Sequence, residues 1–511
     1  MTKTYLNDLP DCRRLIGRRV NKASQPYIAD ALLSLFRVPM SAATHEPHFA
    51  ICDVWRRTHD TKRRGCRASA MEVAFWLGVA GVGPACWAEL AEAQVVGAPS
   101  SRGYLDDAPS LLSPKPMSQR SLRLKPLRDY TGLPFADWLI YPSLFVGAAF
   151  DDNVFQATNY RTSEPGVRLR PNIVAVRDAG IHKTTAFAHG DIRLYALSTA
   201  NAVDARVGFA HRWEARRDLS FRFQGEYDRR TDMYNNGYVT TSNGAATAAI
   251  GAKIASPQRY NQFVGSIAAL KSFDRFFVGL GGSIVGTDYD ALDTTAGSIS
   301  QSYRNNVVYA ATGRLGYSAT PLLYAFTEAT GNFRNFDNAI YNSDGYRLVG
   351  GLGTDRISLF RGEVYAGYQR QLYDSPLFVS PSSPVIGGKV FWYPTRAWTV
   401  TASADETFQD SGLTAVGNPT GSAARVTSAL GTVHYALSRS WSASVRGGHD
   451  DLFYINGGRH DRRWTAGGQL HYELLRNLNA TFDYSFVTVA STALGASFSR
   501  NIFSIGATYK Y

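Results

Sequence analysis

Cysteine is scarce and confined to the front of the chain. All four cysteines, Cys12, Cys52, Cys66 and Cys86, lie before residue 94. Their spacing matches no zinc motif, and the rest of the chain can form no disulfide of its own. The absence suits passage through an oxidising compartment, where stray disulfides would form and block assembly.

Long apolar runs are also missing. No uninterrupted run reaches the roughly 18 residues that a membrane-spanning helix needs, which excludes a helical membrane protein. Hydrophobic residues still make up 44% of the chain, and Gly (46), Tyr (28) and Phe (27) are plentiful. A transmembrane β-barrel has this composition because only one face of each strand is apolar. A large soluble β protein would look similar, so composition alone does not decide.

Catalytic motifs are absent after residue 93. The sequence holds no nucleophile elbow, HExxH, Walker or Rossmann pattern, and it predicts no enzyme, cofactor or metal. His471 shares a polar face with Glu473 and Gln469, and we interpret it as a lumen side chain rather than part of a site. The acidic stretches 151–153 and 450–451 lack EF-hand spacing, and we interpret them as solvated loops.

The net charge of +12 is compatible with nucleic-acid binding. However, no RNP, helix-turn-helix or zinc-finger pattern accompanies it. The sequence therefore predicts no nucleic-acid partner.

Residues 62–93 have the three parts of a secretory signal peptide. Lys62, Arg63, Arg64 and Arg67 form a basic region, an apolar run follows over 73–83, and 91–93 reads Ala-Glu-Ala. This order predicts cleavage before Gln94; a short buried helix is the alternative. Residues 1–61 lack clear periodicity. We expect them to be disordered or an upstream extension, with the true start at Met71 or just before it; a long basic region of the signal peptide is the alternative.

Residues 94–137 are expected to form a periplasmic linker. They are rich in Ser, have no apolar face and contain many prolines, which block regular structure. An extension into the periplasm and a segment within a barrel mouth both fit. The prolines are Pro99, Pro109, Pro114, Pro116, Pro126 and Pro134.

Period-two alternation fills the chain from residue 138 to 511. In residues 219–228, 360–369, 464–473 and 478–486, aromatic and aliphatic residues alternate with polar ones, and no helical period competes. The connections alternate as well. Short, mostly basic turns such as 215–218 and 437–439 take turns with Gly/Asn/Ser/Thr-rich stretches such as 232–258.

Sorting of short turns and long loops is typical of outer-membrane barrels, in which they are periplasmic and extracellular respectively. We therefore predict an all-β fold, a transmembrane antiparallel up-and-down barrel of about eighteen strands, with sixteen acceptable. The strands between residues 230 and 345 are the least distinct. Aromatic residues just after short turns, Phe276, Trp398 and Trp441, are expected at the inner membrane interface.

The final alternation, Phe503, Ile505, Ala507, Tyr509 and Tyr511, gives the last strand one apolar face. In a closed barrel this strand pairs with the first, so no edge remains. We expect the barrel-assembly machinery to recognise this strand, and outer-membrane lipid and lipopolysaccharide to surround the wall.

Two stretches, Leu139–Phe155 and Gly362–Gln369, carry a resemblance to a known family. They are similar to outer-membrane β-barrel porins of the "porin 2" type, and the likeness spans roughly Pro126 to Tyr511. Such proteins are common in alphaproteobacteria, and some lie near exopolysaccharide genes. The resemblance implies a barrel in the outer membrane of a Gram-negative bacterium. It brings no established substrate and no catalytic residue.

The polar faces of the strands are expected to line the pore. An excess of inward arginine would attract anions because the low-dielectric wall focuses the field. Alternatively, the charges pair across strands and merely fill the lumen. The predicted pore-lining residues are Arg168, Arg170, Arg193, Arg206, Arg222, Glu226, Arg361, Glu363, Arg446 and Asp483.

These patterns predict a channel for passive diffusion of small hydrophilic solutes, with a mild anion preference. The alternative is a non-catalytic barrel that serves exopolysaccharide export or surface assembly with polysaccharide-export proteins as partners. The proline-rich segment 94–137, a plausible docking arm, and the family resemblance motivate that alternative. An outer-membrane enzyme is less favoured, and outward-facing tryptophans weigh against sugar-specific conduction.

Overall fold

The structure, a computed structural model, describes residues 132–232, 257–294, 297–357, 359–410, 423–455, 458–493 and 496–511. The predictions for 1–61 and 62–93, and most of the linker prediction, lie outside these residues. Within them, no helix has the length and apolar character needed to cross a membrane.

Antiparallel strands make up nearly all of the described chain. Short 3₁₀ helices at Ser198–Ala200, Ser302–Arg304 and Ala339–Tyr341 lie in connections between strands. The strands are β1 (Leu133–Phe135), β2 (Trp138–Asp151), β3 (Glu164–Ala179), β4 (His182–Tyr195), β5 (Ala202–Arg216), β6 (Leu219–Asp232), β7 (Gln258–Phe273), β8 (Phe276–Tyr289), β9 (Leu292–Thr294), β10 (Gly297–Ile299), β11 (Asn306–Ser318), β12 (Leu323–Phe336), β13 (Ser343–Ile357), β14 (Phe360–Tyr373), β15 (Ser382–Trp392), β16 (Trp398–Asp410), β17 (Ala423–Ala436), β18 (Trp441–Tyr454), β19 (His460–Leu475), β20 (Leu478–Ser491) and β21 (Phe498–Lys510).

The sheet closes on itself. Each long strand pairs with the next in the chain, β8 pairs with β11, and β21 pairs with β2. The wall is an antiparallel closed barrel of 18 strands, which confirms the predicted fold and strand number. β9 and β10 form a separate hairpin, and β1 pairs only with β2. β1 lies in the last residues of the segment expected to be a linker.

The two faces of the wall follow the predicted alternation. In β21, Phe503 and Ile505 are exposed on the outer surface, whereas Ser504 and Thr508 are buried on the inner one. Outward apolar side chains recur around the barrel because lipid, not water, is the solvent there. Along most of the wall the backbone pairs within the sheet, as a membrane interior requires; between β15 and β16 the pairing is limited to Gly388–Trp392 and Val400–Ala404.

The two ends of the barrel differ. Tight turns such as 180–181 and 274–275 connect strands at one end of the barrel, here called the inner end. Positive φ angles at Gly180 (69°) and Asp274 (53°) allow the chain to reverse there. Phe276, Trp398 and Trp441 follow such turns and are exposed on the outer surface; their position at the inner membrane interface stays a prediction. The connections at the other end, here called the outer end, are mostly longer, as in 152–163.

Candidate functional site

Three of the predicted lumen arginines converge on one carboxylate. Arg168 of β3 donates from Nε and Nη2 to Asp191 of β4, at 2.8 and 2.9 Å. Nε of Arg170 lies 3.8 Å, and Nε of Arg193 lies 3.6 Å, from the same carboxylate. Arg193 also donates from Nη2 to Asp204 of β5 at 2.5 Å. Three guanidinium groups thus share two carboxylates, which gives this cluster an excess of positive charge.

The next strand pair carries a balanced arrangement. Arg206 of β5 donates from Nε and Nη2 to Glu226 of β6 at 2.7 and 2.6 Å, a bidentate pair. Its Nε also lies 3.5 Å from Asp228, which Arg230 contacts at 2.8 Å. Here two arginines contact two carboxylates. This agrees with the alternative interpretation, in which the lumen charges pair across strands.

The other predicted residues lie on separate strands. Arg222, Arg361 and Arg446 are half-buried on β6, β14 and β18. Asp483 of β20 is buried and accepts a hydrogen bond from Nε2 of Gln469 at 3.2 Å. Asp483 also lies within electrostatic range of Arg168 and Arg170 of the Asp191 cluster. Contact with a passing solute stays a prediction for all ten residues.

Sequence reasoning missed a network centred on Arg314, whose side chain is only 1% exposed. Its Nε donates to Glu328 at 2.7 Å, and its Nη1 donates to Glu363 at 3.1 Å. The hydroxyl of Tyr324 donates to the same Glu363 at 2.6 Å, and the guanidinium lies 4.1 Å from the centre of the Phe326 ring. Predicted residue Glu363 therefore belongs to a packed group that joins β11, β12 and β14.

A signal for Arg314 was present in the alternation. Leu315 and Tyr317 are exposed on the outer surface, so the residue at 314 falls on the inner face. Arg314 was missed because the strands between residues 230 and 345 are the least distinct in the sequence, and a shift of one residue exchanges the two faces.

An apolar cluster also lies on the inner face, where polar residues were expected. It comprises Leu270, Phe277, Tyr324, Phe326 and Val349. Glycine on neighbouring strands makes room for the rings, since a Cβ at Gly351 would lie 2.7 Å from the Phe326 ring. This part of the lumen is filled by the wall itself.

The two acidic stretches are not solvated loops, so that interpretation was wrong. Asp151 ends β2, is fully buried, and accepts hydrogen bonds from Arg500 of β21 and from Tyr195. Asp450 of β18 is buried between Ser428 and Arg463, at 2.7 and 2.9 Å. Among the described residues, no group of three or more His, Cys, Asp or Glu could hold a metal.

Aromatic side chains close over one sector of the outer end. Tyr341, Tyr373, Phe378 and Ala423 form this cluster, here the aromatic cap. Tyr341 and Phe378 stack at 5.3 Å between ring centres. Phe378 lies between β14 and β15 whereas Ala423 begins β17, so the cap bridges the outer ends of β15 and β16. Burial, with Tyr303 nearby, raises the pKa of Tyr341 to about 12, which keeps its phenol neutral.

The family is shown by a model that matches residues 125–511, described as "Putative beta-barrel porin 2". The chain belongs to this porin family. The match confirms the sequence resemblance and identifies the wall as an outer-membrane β-barrel of Gram-negative type. Among curated proteins, none matches the sequence.

Solved barrels are similar to the porin at low identity. The siderophore receptor PirA of Pseudomonas aeruginosa is 11% identical with a TM-score of 0.35, over 73% of this chain and 80% of that one. OpdQ of the same organism is 10% identical with a TM-score of 0.36, over 73% and 98%. The copper transporter OprC is 8% identical with a TM-score of 0.38, over 74% and 81%. Likenesses of this size carry no argument about substrate.

Proposed function

We propose that the porin is a channel for passive diffusion of small hydrophilic solutes, with a mild preference for anions. A closed wall with lipid outside and charged side chains inside supports diffusion without chemistry. The balance of charges in the lumen supports the preference, and one observation carries it.

That observation is the excess of arginine around Asp191. Most inward charges whose contacts are described above are matched, as in the pair of Arg206 with Glu226. By contrast, the described ion pairs of Arg168, Arg170 and Arg193 involve two carboxylates, Asp191 and Asp204; Asp483 lies further away, within electrostatic range of Arg168 and Arg170. Fixed positive charge on a low-dielectric wall raises the local concentration of anions. Among these groups Arg170 is the one whose Nε and Nη2 make no hydrogen bond to a described residue.

Arg170→Gln therefore tests the proposal. In a planar bilayer under a salt gradient, we expect the full-length protein to show a reversal potential whose sign indicates anion preference. Arg170→Gln should move this potential towards zero. Asp191 keeps its bidentate partner Arg168, so the substitution leaves no carboxylate unpaired. Arg425→Gln is the control because Arg425 is exposed on the outer surface of β17, and it should leave the reversal potential unchanged.

Two results would contradict the proposal. Cation preference in the unaltered protein would refute the anion preference. A silent but correctly folded barrel, recognised by its heat-modifiable mobility in a gel, would refute the open channel.

A role in export or surface assembly remains a prediction. It depends on the segment 94–137, of which residues 94–131 lie outside the described part of the chain. Deleting this segment separates the two functions, since conductance should survive the deletion whereas export should fail.

A further inference from the structure

Two adjacent strands of the barrel pair along only half their length. The register between β15 and β16 runs from Trp392↔Val400 to Gly388↔Ala404 and stops there. Continuing it would pair residues 382–387 with 405–410. Both stretches are strands, and each pairs fully on its other side, up to Arg370↔Ser382 and Asp410↔Ala423. The outer halves of β15 and β16, here the seam, are therefore not joined by backbone ladder bonds.

Side chains inside the lumen hold β16 in place of that ladder. Asp405 accepts hydrogen bonds from Nη2 of Arg347 on β13 at 2.7 Å and from the hydroxyl of Tyr365 on β14 at 2.9 Å. Tyr365 reaches over β15 because Gly387 has no side chain; a Cβ there would lie 2.6 Å from the ring. Further out, Nη2 of Arg334 on β12 donates to the carbonyl oxygen of Phe408 at 2.9 Å.

The seam is sealed by packing rather than empty. Val385 is 0% exposed and Phe408 is 6% exposed, so protein atoms cover one side chain of each stretch. A ladder bond left unmade in lipid is costly, of the order of several kcal/mol for each unsatisfied group. Side-chain packing is easier to open than a continuous ladder, because separating packed side chains leaves no further backbone group without a partner.

The two surfaces of the seam differ in chemistry. On the outside, Ile386 is 77% exposed to lipid, and Leu377 and Val379 of the preceding connection are also exposed. The one acidic group described on this face is Glu406, which accepts a hydrogen bond from the hydroxyl of Thr427 at 3.1 Å. On the inside lie Ser383 and Gln409, both buried. The aromatic cap bridges the outer ends of the same two strands and covers this sector of the barrel end. A molecule crossing here would meet polar groups first and lipid next.

From this geometry we propose that the seam is a lateral opening in the barrel wall, through which an amphiphile with a polar head and an alkyl chain passes between the lumen and the outer leaflet. The opening adds a lipid-facing route to the proposed aqueous channel. It does not depend on the conductance of that channel.

Labelling of a cysteine behind the seam tests this route. Ser383 and Ser343 are matched positions, since both are buried, lie near the outer ends of their strands, and accept from a glutamine, Gln369 and Gln371 respectively. Ser343, however, lies in a wall paired on both sides, at Arg334↔Ser343 and Ser343↔Tyr373. The probe is N-dodecylmaleimide dissolved in the vesicle membrane, and the background is the full chain with its four cysteines changed to serine.

We expect Ser383→Cys to react with the membrane-dissolved probe at least about tenfold faster than Ser343→Cys. A tenfold ratio corresponds to a free energy of opening that is about 1.4 kcal/mol higher at Ser343, where the wall is paired on both sides. A water-soluble maleimide should show no such difference. Adding Phe408→Ala to Ser383→Cys should raise the rate further. Equal rates with N-dodecylmaleimide in correctly folded proteins would overturn the proposal.

Paired cysteines provide an independent measurement. Phe391 and Thr401 are register partners in the joined half of the strands, and F391C/T401C should oxidise readily to a disulfide. S383C/Q409C would be partners if the ladder continued, and we expect this pair to stay reduced because its strands are apart. Equally rapid oxidation of both pairs would mean that the seam is joined in solution, and the lateral opening would be ruled out.

Discussion

The barrel has two unusual joints, and they contrast in how they are held. The closing joint joins β2 to β21 over a continuous register from Ser143↔Lys510 to Asp151↔Ile502. Asp151 and Arg500, which bind each other there, are 349 positions apart in the chain. The seam joins β15 to β16, which follow one another directly, yet only their inner halves pair. Proximity in sequence therefore does not decide which joint is complete.

Side chains explain the contrast. At the closing joint they reinforce the ladder, because Asp151 and Asp152 bind Arg500 and Asn501 of the opposite strand. At the seam they replace the ladder, because Asp405 binds across β15 to more distant strands. The comparison suggests that the closing joint is rigid and the seam can open.

Breaking the closing joint should have the largest effect. Asp151→Asn removes the charge that neutralises buried Arg500, and loss of one partner of a buried pair costs about 3–5 kcal/mol. We expect the urea midpoint of unfolding in lipid vesicles to fall accordingly. Lys271→Met is the control, since it removes an ion pair with exposed Asp218 at an inner turn and should leave the midpoint unchanged. Equal midpoints for both variants would mean that the closing joint is not locked by this pair.

Added volume at the closing joint should have an intermediate effect. A Cβ at Gly147 would lie 2.6 Å from the carbonyl oxygen of Ile505 and from the Phe145 ring. Gly147→Ala should therefore destabilise the barrel by about 1–3 kcal/mol. The control is Gly350→Ala, because the nearest atom to a Cβ there is 3.9 Å away. Alanine at Gly350 should be neutral or stabilising by up to about 1 kcal/mol. An equal loss of stability in the two variants would show that the closing joint accommodates the added methyl group.

Loosening the seam should have the smallest effect on stability. Asp405→Asn keeps the shape of the side chain but removes the charge that Arg347 binds, a partly exposed pair for which we expect about 1 kcal/mol. The same variant should accelerate N-dodecylmaleimide labelling of Ser383→Cys, whereas Asp151→Asn should not. A large loss of stability without faster labelling would show that Asp405 supports the whole wall rather than the seam.

The fold was largely predictable from local sequence. Alternation in stretches such as 464–473 specifies a strand and its two faces, and alternating connection lengths specify the order of turns and loops. These signals are local, so one chain suffices to read them. The network around Arg314 and the inner apolar cluster were missed because their residues come from several strands, and only closure of the barrel brings them together.

The sequence by itself determined the class of fold, a strand number of about eighteen, the outward face of most strands and the membrane that the wall suits, because each depends on a two-residue period and on solvent polarity. Tertiary structure alone decided which charges meet. It placed three arginines around Asp191, buried Asp151 against Arg500, and drew Asp405 away from β15. Those contacts depend on the curvature and stagger of the closed sheet, which no local pattern records.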